Sequence, residues 1–330
     1  MTRLVKSRRP ARLRLHAIGA ALLLCSGLAI GQSYPAKPIT LVVPTAPGGL
    51  VDASARLVAD GLAKALGQPV VIDNKGGGSG NVGYTQVARA SADGYTLLAS
   101  YSGYHVGNPA LSPRLPWAQK DFAPVALVAV ATNVITTHPS VPAKSLQEFI
   151  AYAKANPGKL SYASQGNGSL SHIGTEMFKL QTGTAMVHIP YRGSGPAIQD
   201  VLSGQVQVFI TTPPSVLGHV QAGKLKALAV AGKARHPAFA AVPTAAEAGL
   251  KGFELEAWVA IFAPAGTPPA VLSRLTSTIG QVLGQADTKA RADAAGIELR
   301  YEPPALLAQR VKHESGFWAT TIKAAGITLD

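Results

Sequence analysis

The first pattern in the chain is a short apolar run that stops at a glycine turn and continues as an amphipathic helix. The run at 39–43 is typical of a buried strand, because it is β-branched and bounded by turn residues. After the turn at 47–49, apolar residues recur at spacings of three and four, namely Val51, Ala55, Val58, Leu62 and Leu66. A helix that begins at such a turn has free backbone N–H groups at the positive end of its dipole. The unit therefore favours the binding of an anion.

Strand patterns and helix patterns alternate along most of the chain. Further strands are predicted at 69–74, 95–100, 159–164, 186–190, 205–210 and 224–230. Helical patterns separate several of them, at 81–91, 171–181 and 196–202. Alternation of this kind with short connections predicts an α/β protein, whose sheets are mostly parallel and flanked by helices.

Two longer β-rich stretches, 122–139 and 253–268, do not fit one continuous sheet. We expect each to cross from one domain into another, so that the chain folds as two domains joined by two crossover strands. Domain 2 is then residues 136–253, and the discontinuous domain 1 is residues 32–135 plus 254–330, with helices predicted at 269–284 and 304–325. Two connecting strands make a natural hinge.

The N-terminal segment differs from the rest of the chain. Six basic residues precede an uncharged apolar run at 17–30, which is too short to span a bilayer as a stable anchor. We interpret residues 1–31 as a signal peptide and expect a soluble periplasmic protein after its cleavage. The Arg8-Arg9 pair also suggests twin-arginine export, but the hydrophobic residues that usually follow the pair are missing. Cys25 suggests lipid modification, but Leu24 before it is bulky.

Composition narrows the function classes. The chain is 47% hydrophobic and 14% charged, which suits large buried cores. Its formal charge of +13 falls to +7 without the six basic residues of the signal, and no basic cluster is interleaved with aromatic residues, so nucleic acid is a poor partner. Cys25 is the single cysteine, so cleavage would leave no disulfide, thiol catalysis or cysteine metal site. The histidines are scattered, so no metal is expected.

Three more strand-to-helix turns carry small hydroxyl residues. They are 166–172 with Ser169 and Ser171, 191–196 with Ser194, and 211–215 with Thr212 as a plausible helix cap. Open α/β sheets bind ligands beyond the carboxyl ends of their strands, where these turns lie. Free amides and hydroxyls suit a small ligand. Asp52 either contacts that ligand or orients the glycine turn, although capping with an i, i+4 pair to Arg56 is the simpler interpretation.

Two alternative functions, a nucleotide-binding protein and an enzyme, have weaker support in the sequence. The stretch GSGNVG at 78–83 matches a dinucleotide fingerprint, but the next strand carries no acid for a ribose, so no cofactor is expected. The chain lacks a G-x-S-x-G nucleophile elbow, and we do not expect an enzyme.

The order of several motifs resembles the Bug-type periplasmic substrate-binding proteins of tripartite tricarboxylate transporters. The likeness begins with YPAKPITLVVPTAPGGLVDASAR, continues through GNGSLSHIGTEMF and MVHIPYRGSGPAIQDVLSGQVQ, and covers essentially the whole mature chain. It implies a two-domain Venus-flytrap receptor that closes on a small organic carboxylate and delivers it to membrane permease subunits.

The resemblance also implies which residues hold the ligand. On one side they are Thr45, Pro47, Gly48, Gly49 and Asp52. On the facing side they are Gly166, Ser169, Ser171, His172, Tyr191, Gly193, Ser194 and Thr211.

Two departures from the family pattern bear on specificity. Thr45 stands where the family usually has an aromatic residue, and Ile210 or Thr211 stands where it commonly has an aspartate. That aspartate is a natural partner for an ammonium group, so we expect a carboxylate that is not an amino acid. A sensor adaptor that docks on a membrane signalling protein remains an alternative function, and an exported hydrolase is a weaker one.

Overall fold

We describe the protein from a computed structural model. The structure describes residues 1–2, 34–112, 114–324 and 326–327, so Cys25 and residues 3–31 of the predicted signal peptide lie outside the described residues. The chain from Lys37 onwards forms one compact unit. Among the described residues, no helix is both long enough and apolar enough to cross a bilayer.

The first part of this unit follows the predicted order of strands and helices. Its elements are β1 (Ile39–Val43), α1 (Leu50–Leu66), β2 (Val70–Asn74), α2 (Asn81–Ala88), β3 (Thr96–Tyr101), a π-helical turn (Gly103–Gly107), α3 (Asn108–Leu111), a 3-10 turn (Gln119–Asp121) and β4 (Phe122–Thr132).

The middle part alternates in the same way. Its elements are β5 (Val134–Thr137), α4 (Leu146–Ala155), β6 (Ser161–Ser164), α5 (Leu170–Thr182), β7 (Val187–Pro190), α6 (Ser194–Leu202), β8 (Val208–Thr211), α7 (Pro213–Gln221), β9 (Lys226–Val230) and a 3-10 turn (Pro237–Phe239). The last part consists of β10 (Glu256–Pro264), α8 (Pro269–Gly284), α9 (Ala286–Ala294), β11 (Glu298–Glu302) and α10 (Pro304–Ala324).

The described strands form two sheets, each of which defines one lobe. The six-stranded sheet of the first lobe has the order β11-β4-β10-β3-β1-β2, and the five-stranded sheet of the second lobe has the order β7-β6-β8-β5-β9. Helices flank both sheets, so the predicted α/β class with two lobes is confirmed.

The strand directions correct one detail of the prediction. Both sheets are mixed rather than mostly parallel: β1 pairs in parallel with β2 and β3, whereas β10 runs antiparallel to β3 and β4. In the second lobe, β5 runs antiparallel to β8 and β9. Strands β5 and β10 enter a lobe directly from the other one, and β11 also runs antiparallel to its neighbour β4. Alternation along the sequence does not reveal these directions.

The chain changes sheets at two adjacent points. Asn133 alone separates β4 from β5, and its backbone N–H and side-chain amide both donate to the Leu255 carbonyl, each at 2.9 Å. The Ala231 N–H donates in turn to the Asn133 carbonyl at 2.8 Å. The two connecting segments are thus hydrogen-bonded to each other, as suits a hinge. The domain boundaries at 135/136 and 253/254 stay predictions.

The cores lie between the sheets and their helices. In the first lobe the strands β1, β3 and β10 are almost completely buried, which accounts for their continuous apolar runs. Helix α1 packs closely on α8, because Gly61 leaves room for Val282, whose Cγ1 lies 2.2 Å from the position a Cβ on Gly61 would take. The packing positions the N-terminus of α1 at the carboxyl end of β1.

Candidate functional site

The glycine turn joins β1 to α1 at the edge of the first sheet. Gly49 is the residue before the helix, and no side chain caps the first N–H groups of α1. Gly48 has a φ of 93°, a left-handed conformation that disfavours a side chain. Pro47 and Gly48 are exposed, whereas Thr45 and Gly49 are buried. The turn therefore presents backbone N–H groups at the start of a 17-residue helix, as the sequence pattern predicts.

Asp52 holds this turn in place through hydrogen bonds of its carboxylate. Its Oδ2 accepts from the Gly48 N–H at 3.2 Å and from Arg56 Nε at 3.1 Å, while its Oδ1 accepts from Arg56 at 3.0 Å and from Asn74 Nδ2 at 3.0 Å. Asn74 Nδ2 also donates to the Thr45 carbonyl at 3.1 Å. The hydrogen bond to Asp52 raises the pKa of the Arg56 guanidinium. Asp52 thus orients the turn and pairs with Arg56 at the same time, and a contact with the ligand stays a prediction.

The opposite side of the cleft is the turn between β6 and α5, which its own side chains hold together. Ser169 is the N-cap of α5, and its hydroxyl donates to the Gly166 carbonyl at 2.6 Å and accepts from the His172 N–H at 3.3 Å. The Ser171 hydroxyl accepts from the Gln165 N–H at 2.9 Å, and His172 Nδ1 accepts from the Gly168 N–H at 3.2 Å. The predicted serines therefore shape the turn.

Gln165 is the central side chain that sequence reasoning missed. Its Nε2 donates to the Ser194 hydroxyl at 2.6 Å and lies 3.5 Å from the Thr211 hydroxyl, so it connects the turns after β6, β7 and β8. Its backbone carbonyl accepts a 2.7 Å hydrogen bond from the Tyr104 hydroxyl of the first lobe. Burial raises the pKa of Tyr104, which keeps this phenol protonated as a donor. The position of Gln165 directly after a strand was the one sequence signal for it.

The turn between β7 and α6 faces the glycine turn directly. Gly193 precedes the helix with a φ of 130°, and no side chain caps α6. The Ala46 N–H donates to the Arg192 carbonyl at 3.0 Å, which joins the two lobes through their backbones. A Cβ on Gly49 would stand 2.7 Å from the Ser194 hydroxyl, and one on Gly195 would stand 2.4 Å from the Pro47 carbonyl oxygen. The two uncapped helix starts therefore meet in a closed arrangement that only glycine allows.

Two of the predicted residues have contacts that point away from the cleft. The Tyr191 hydroxyl donates to Asp200 at 2.6 Å, and burial followed by this hydrogen bond raises the pKa of Tyr191. Its ring packs against the core of the second lobe. The His172 ring stacks on His188 with 4.2 Å between ring centroids, and His188 stacks in turn on Tyr162. Tyr191 contributes its backbone to the site, and His172 belongs to an aromatic stack beneath it.

The remaining predicted residues do come together. The turns after β1, β6 and β7 hold Thr45, Pro47, Gly48, Gly49, Gly166, Ser169 and Gly193. Ser171 and Ser194 lie in the first turns of α5 and α6, and Thr211 is the last residue of β8. Within the described part of the chain, no group of three or more His, Cys, Asp and Glu residues is arranged to hold a metal ion. The arrangement offers uncapped backbone donors, an amide and hydroxyls, a chemistry that suits the binding of an anion without a covalent step.

The chain matches a family model over residues 54–327, described as the tripartite tricarboxylate transporter family receptor. It is 37% identical to protein BugT of Bordetella pertussis over 321 residues, which cover 96% of this chain and 98% of BugT. A Rhodopseudomonas palustris protein solved with adipate is 35% identical, with a TM-score of 0.87 and coverage of 89% of this chain and 99% of that one. MatC of the same species, solved with bound malate, is 34% identical, with a TM-score of 0.83 and coverage of 88% and 100%.

Proposed function

The chain belongs to the tripartite tricarboxylate transporter receptor family, and from that premise we propose that it captures a small organic carboxylate in its cleft and delivers it to membrane permease subunits. Members of this family are solute-binding proteins rather than enzymes, and so is this chain. The proposal places the protein in the periplasm, on the outer side of the membrane that holds those subunits.

The observation that carries the proposal is the meeting of two uncapped helix starts at one point of the cleft. Helices α1 and α6 both begin at glycines without a side-chain cap, and these starts belong to different lobes. Their N–H groups stabilise negative charge without a buried arginine, since the helix dipole adds to the hydrogen bonds. Arg192 at the edge of the turn is exposed.

The solved relatives support the ligand class. One has adipate and another has malate, and both compounds are small dicarboxylates. Thr211 is buried with its hydroxyl near Gln165, so this position offers no carboxylate to an ammonium group. We therefore expect a carboxylate that is not an amino acid, and weaker binding of aspartate than of dicarboxylates that lack the amine.

The test of binding uses the full chain, exported and purified without denaturation. Ligand released by unfolding is identified by mass spectrometry, and titration calorimetry then measures succinate, malate, adipate and aspartate. A bound acid at 100 times its dissociation constant stabilises the fold by about 2.7 kcal/mol, which a melting curve detects. Failure of every carboxylate in both assays would contradict the proposal, and turnover of a bound acid would indicate a hydrolase instead.

The test of delivery uses cells that lack this chain. Uptake of the identified acid is expected to fall and to recover when the chain is supplied again. Unchanged uptake, with binding intact, would favour the adaptor of a signalling protein.

A further inference from the structure

Several hydroxyl groups around the cleft are buried without a hydrogen-bond partner in the described part of the protein. They are the hydroxyls of Thr45, Ser54, Thr212 and Ser215, whose residues are 5%, 1%, 1% and 5% exposed. We call them the hydroxyl set. Buried polar groups almost always have a partner, because leaving one unpaired costs the free energy of its desolvation.

The hydroxyl set belongs to segments that face each other across the cleft. Thr45 lies in the turn after β1, and the N–H of the next residue, Ala46, donates to the Arg192 carbonyl of the other lobe. Thr212 follows Thr211, whose hydroxyl lies 3.5 Å from the Gln165 amide. Ser54 belongs to α1, and Ser215 belongs to α7, the helix that packs against α1 across the lobes.

Local helix capping does not use these hydroxyls. Thr212 is the N-cap residue of α7, a position at which a threonine oxygen ordinarily accepts from the third N–H of the helix. Here the side chain makes no such bond, and the Ser215 N–H donates to the Thr212 backbone carbonyl at 3.1 Å instead. The N–H group that the Thr212 hydroxyl would ordinarily cap has a backbone acceptor instead. The hydroxyls are therefore available to a ligand.

Resting on the proposed function, we propose that the hydroxyl set selects a carboxylate that carries hydroxyl groups, over its unsubstituted counterpart. A hydroxyl of the ligand both donates and accepts, so it pairs with serine and threonine hydroxyls in either direction. A methylene in the same place would leave the buried hydroxyls unpaired in the closed protein. Sites built to bind a hydroxyl reject the analogue that lacks it far more strongly than apolar pockets reject an extra group.

The test compares acids that differ only in hydroxyl groups: succinate has none, malate has one and tartrate has two. The full chain is titrated with each acid by calorimetry, together with the acid that co-purifies and its deoxy counterpart. We expect the hydroxylated acid of the best-binding pair to bind at least about tenfold more tightly than its deoxy partner. The variants Thr45→Val and Ser215→Ala should reduce the ratio of the two affinities to below about threefold.

Thr137→Val is the matched control. The Thr137 hydroxyl is also buried without a partner, but Thr137 pairs with Val208, at the end of β8 opposite to Thr211. The control should keep the wild-type ratio. Melting curves of each variant without ligand separate a loss of folding from a loss of selectivity, and Thr212→Val replaces any variant that does not fold.

The outcomes separate the inference from the proposed function. A deoxy acid that binds as tightly as its hydroxylated partner overturns the inference and leaves carboxylate capture intact. A ratio that survives in all the hydroxyl-set variants also overturns it. Absence of binding by every carboxylate contradicts the proposed function itself.

Discussion

The two sides of the cleft hold their turns in different ways. In the first lobe, the Asp52 carboxylate fixes the glycine turn by a hydrogen bond, and the turn itself presents mainly backbone groups. In the second lobe, side chains of Gln165, Ser169 and Ser171 hydrogen-bond within and between turns. The first side is thus a backbone surface on a rigid support, and the second is a polar side-chain network.

This difference suggests a division of roles. A backbone surface recognises negative charge with little regard to the rest of the ligand, whereas side-chain groups distinguish one ligand from another. We expect loss of the Asp52 support in the first lobe to act through stability, and loss of the Gln165 amide in the second lobe to act through affinity.

The largest effect is expected from Gly195→Ala. The new Cβ would stand 2.4 Å from the Pro47 carbonyl oxygen, so the closed arrangement cannot form without moving the backbone. Calorimetry should show ligand affinity falling at least about 100-fold, which corresponds to about 2.7 kcal/mol. The melting temperature without ligand should change little, because a helical alanine is unstrained in the open state.

Gly218→Ala is the control for this change. Gly218 lies in α7, and nothing stands within 4 Å of the position of its Cβ. It should keep its ligand affinity and gain a few tenths of a kcal/mol to about 1 kcal/mol in stability. Equal affinities for the two variants would contradict the closed arrangement.

Gln165→Glu addresses the second side of the cleft. The change replaces a donor to Ser194 with a carboxylate and adds a negative charge beside an anionic ligand. Affinity should fall about 10- to 100-fold, or about 1.4 to 2.7 kcal/mol. Gln181→Glu is the matched control, since the Gln181 amide bonds to the Lys251 carbonyl at the exposed surface. An unchanged dissociation constant for Gln165→Glu would place the ligand elsewhere.

Asp52→Ala addresses the support of the first side. It removes the acceptor of the Gly48 N–H, of Arg56 and of Asn74, and the Asp52 side chain is only 7% exposed. Urea denaturation should show a loss of about 2 kcal/mol in the free energy of unfolding. Asp60→Ala is the control, and it removes an ion pair with Arg291. Because the Asp60 side chain is 54% exposed, this change should cost less than about 1 kcal/mol in the free energy of unfolding. Similar losses in the two variants would mean that Asp52 makes only a surface pair.

The smallest effect is expected from Tyr104→Phe. It removes the 2.7 Å hydrogen bond that the Tyr104 hydroxyl donates across the lobes to the Gln165 backbone carbonyl. The loss of one such bond weakens ligand binding by about 1 kcal/mol, or about fivefold, if the bond forms only on closure. Tyr301→Phe, at a tyrosine that is 42% exposed, is the control and should leave affinity unchanged. A loss of stability without a loss of affinity would show that the bond persists in the open state.

Most of the fold was predictable because its signals are local. The apolar run at β1, the three- and four-residue spacing of α1 and the prolines that begin α8 and α10 are properties of neighbouring residues. The turns that follow β1, β6, β7 and β8 were recognisable for the same reason, and hydrogen bonds join Ala46 to Arg192 and Gln165 to Ser194 between them. Strand direction was not predictable, because antiparallel β10 and β5 are defined by their partners.

The contacts within the site were even less predictable than strand direction, because they too depend on partners far apart in the sequence. The sequence by itself determined the class of the protein, the uncapped glycine turns and the small hydroxyl residues near them, because these depend on backbone conformation and residue type. Only the tertiary structure decided that Gln165 lies between three turns, that Tyr191 reaches Asp200 instead of the cleft, and that the serines bond to one another. The physical reason is that a side chain takes its partner from whatever the fold brings within about 3 Å of it, and residues far apart in sequence supply most of those partners.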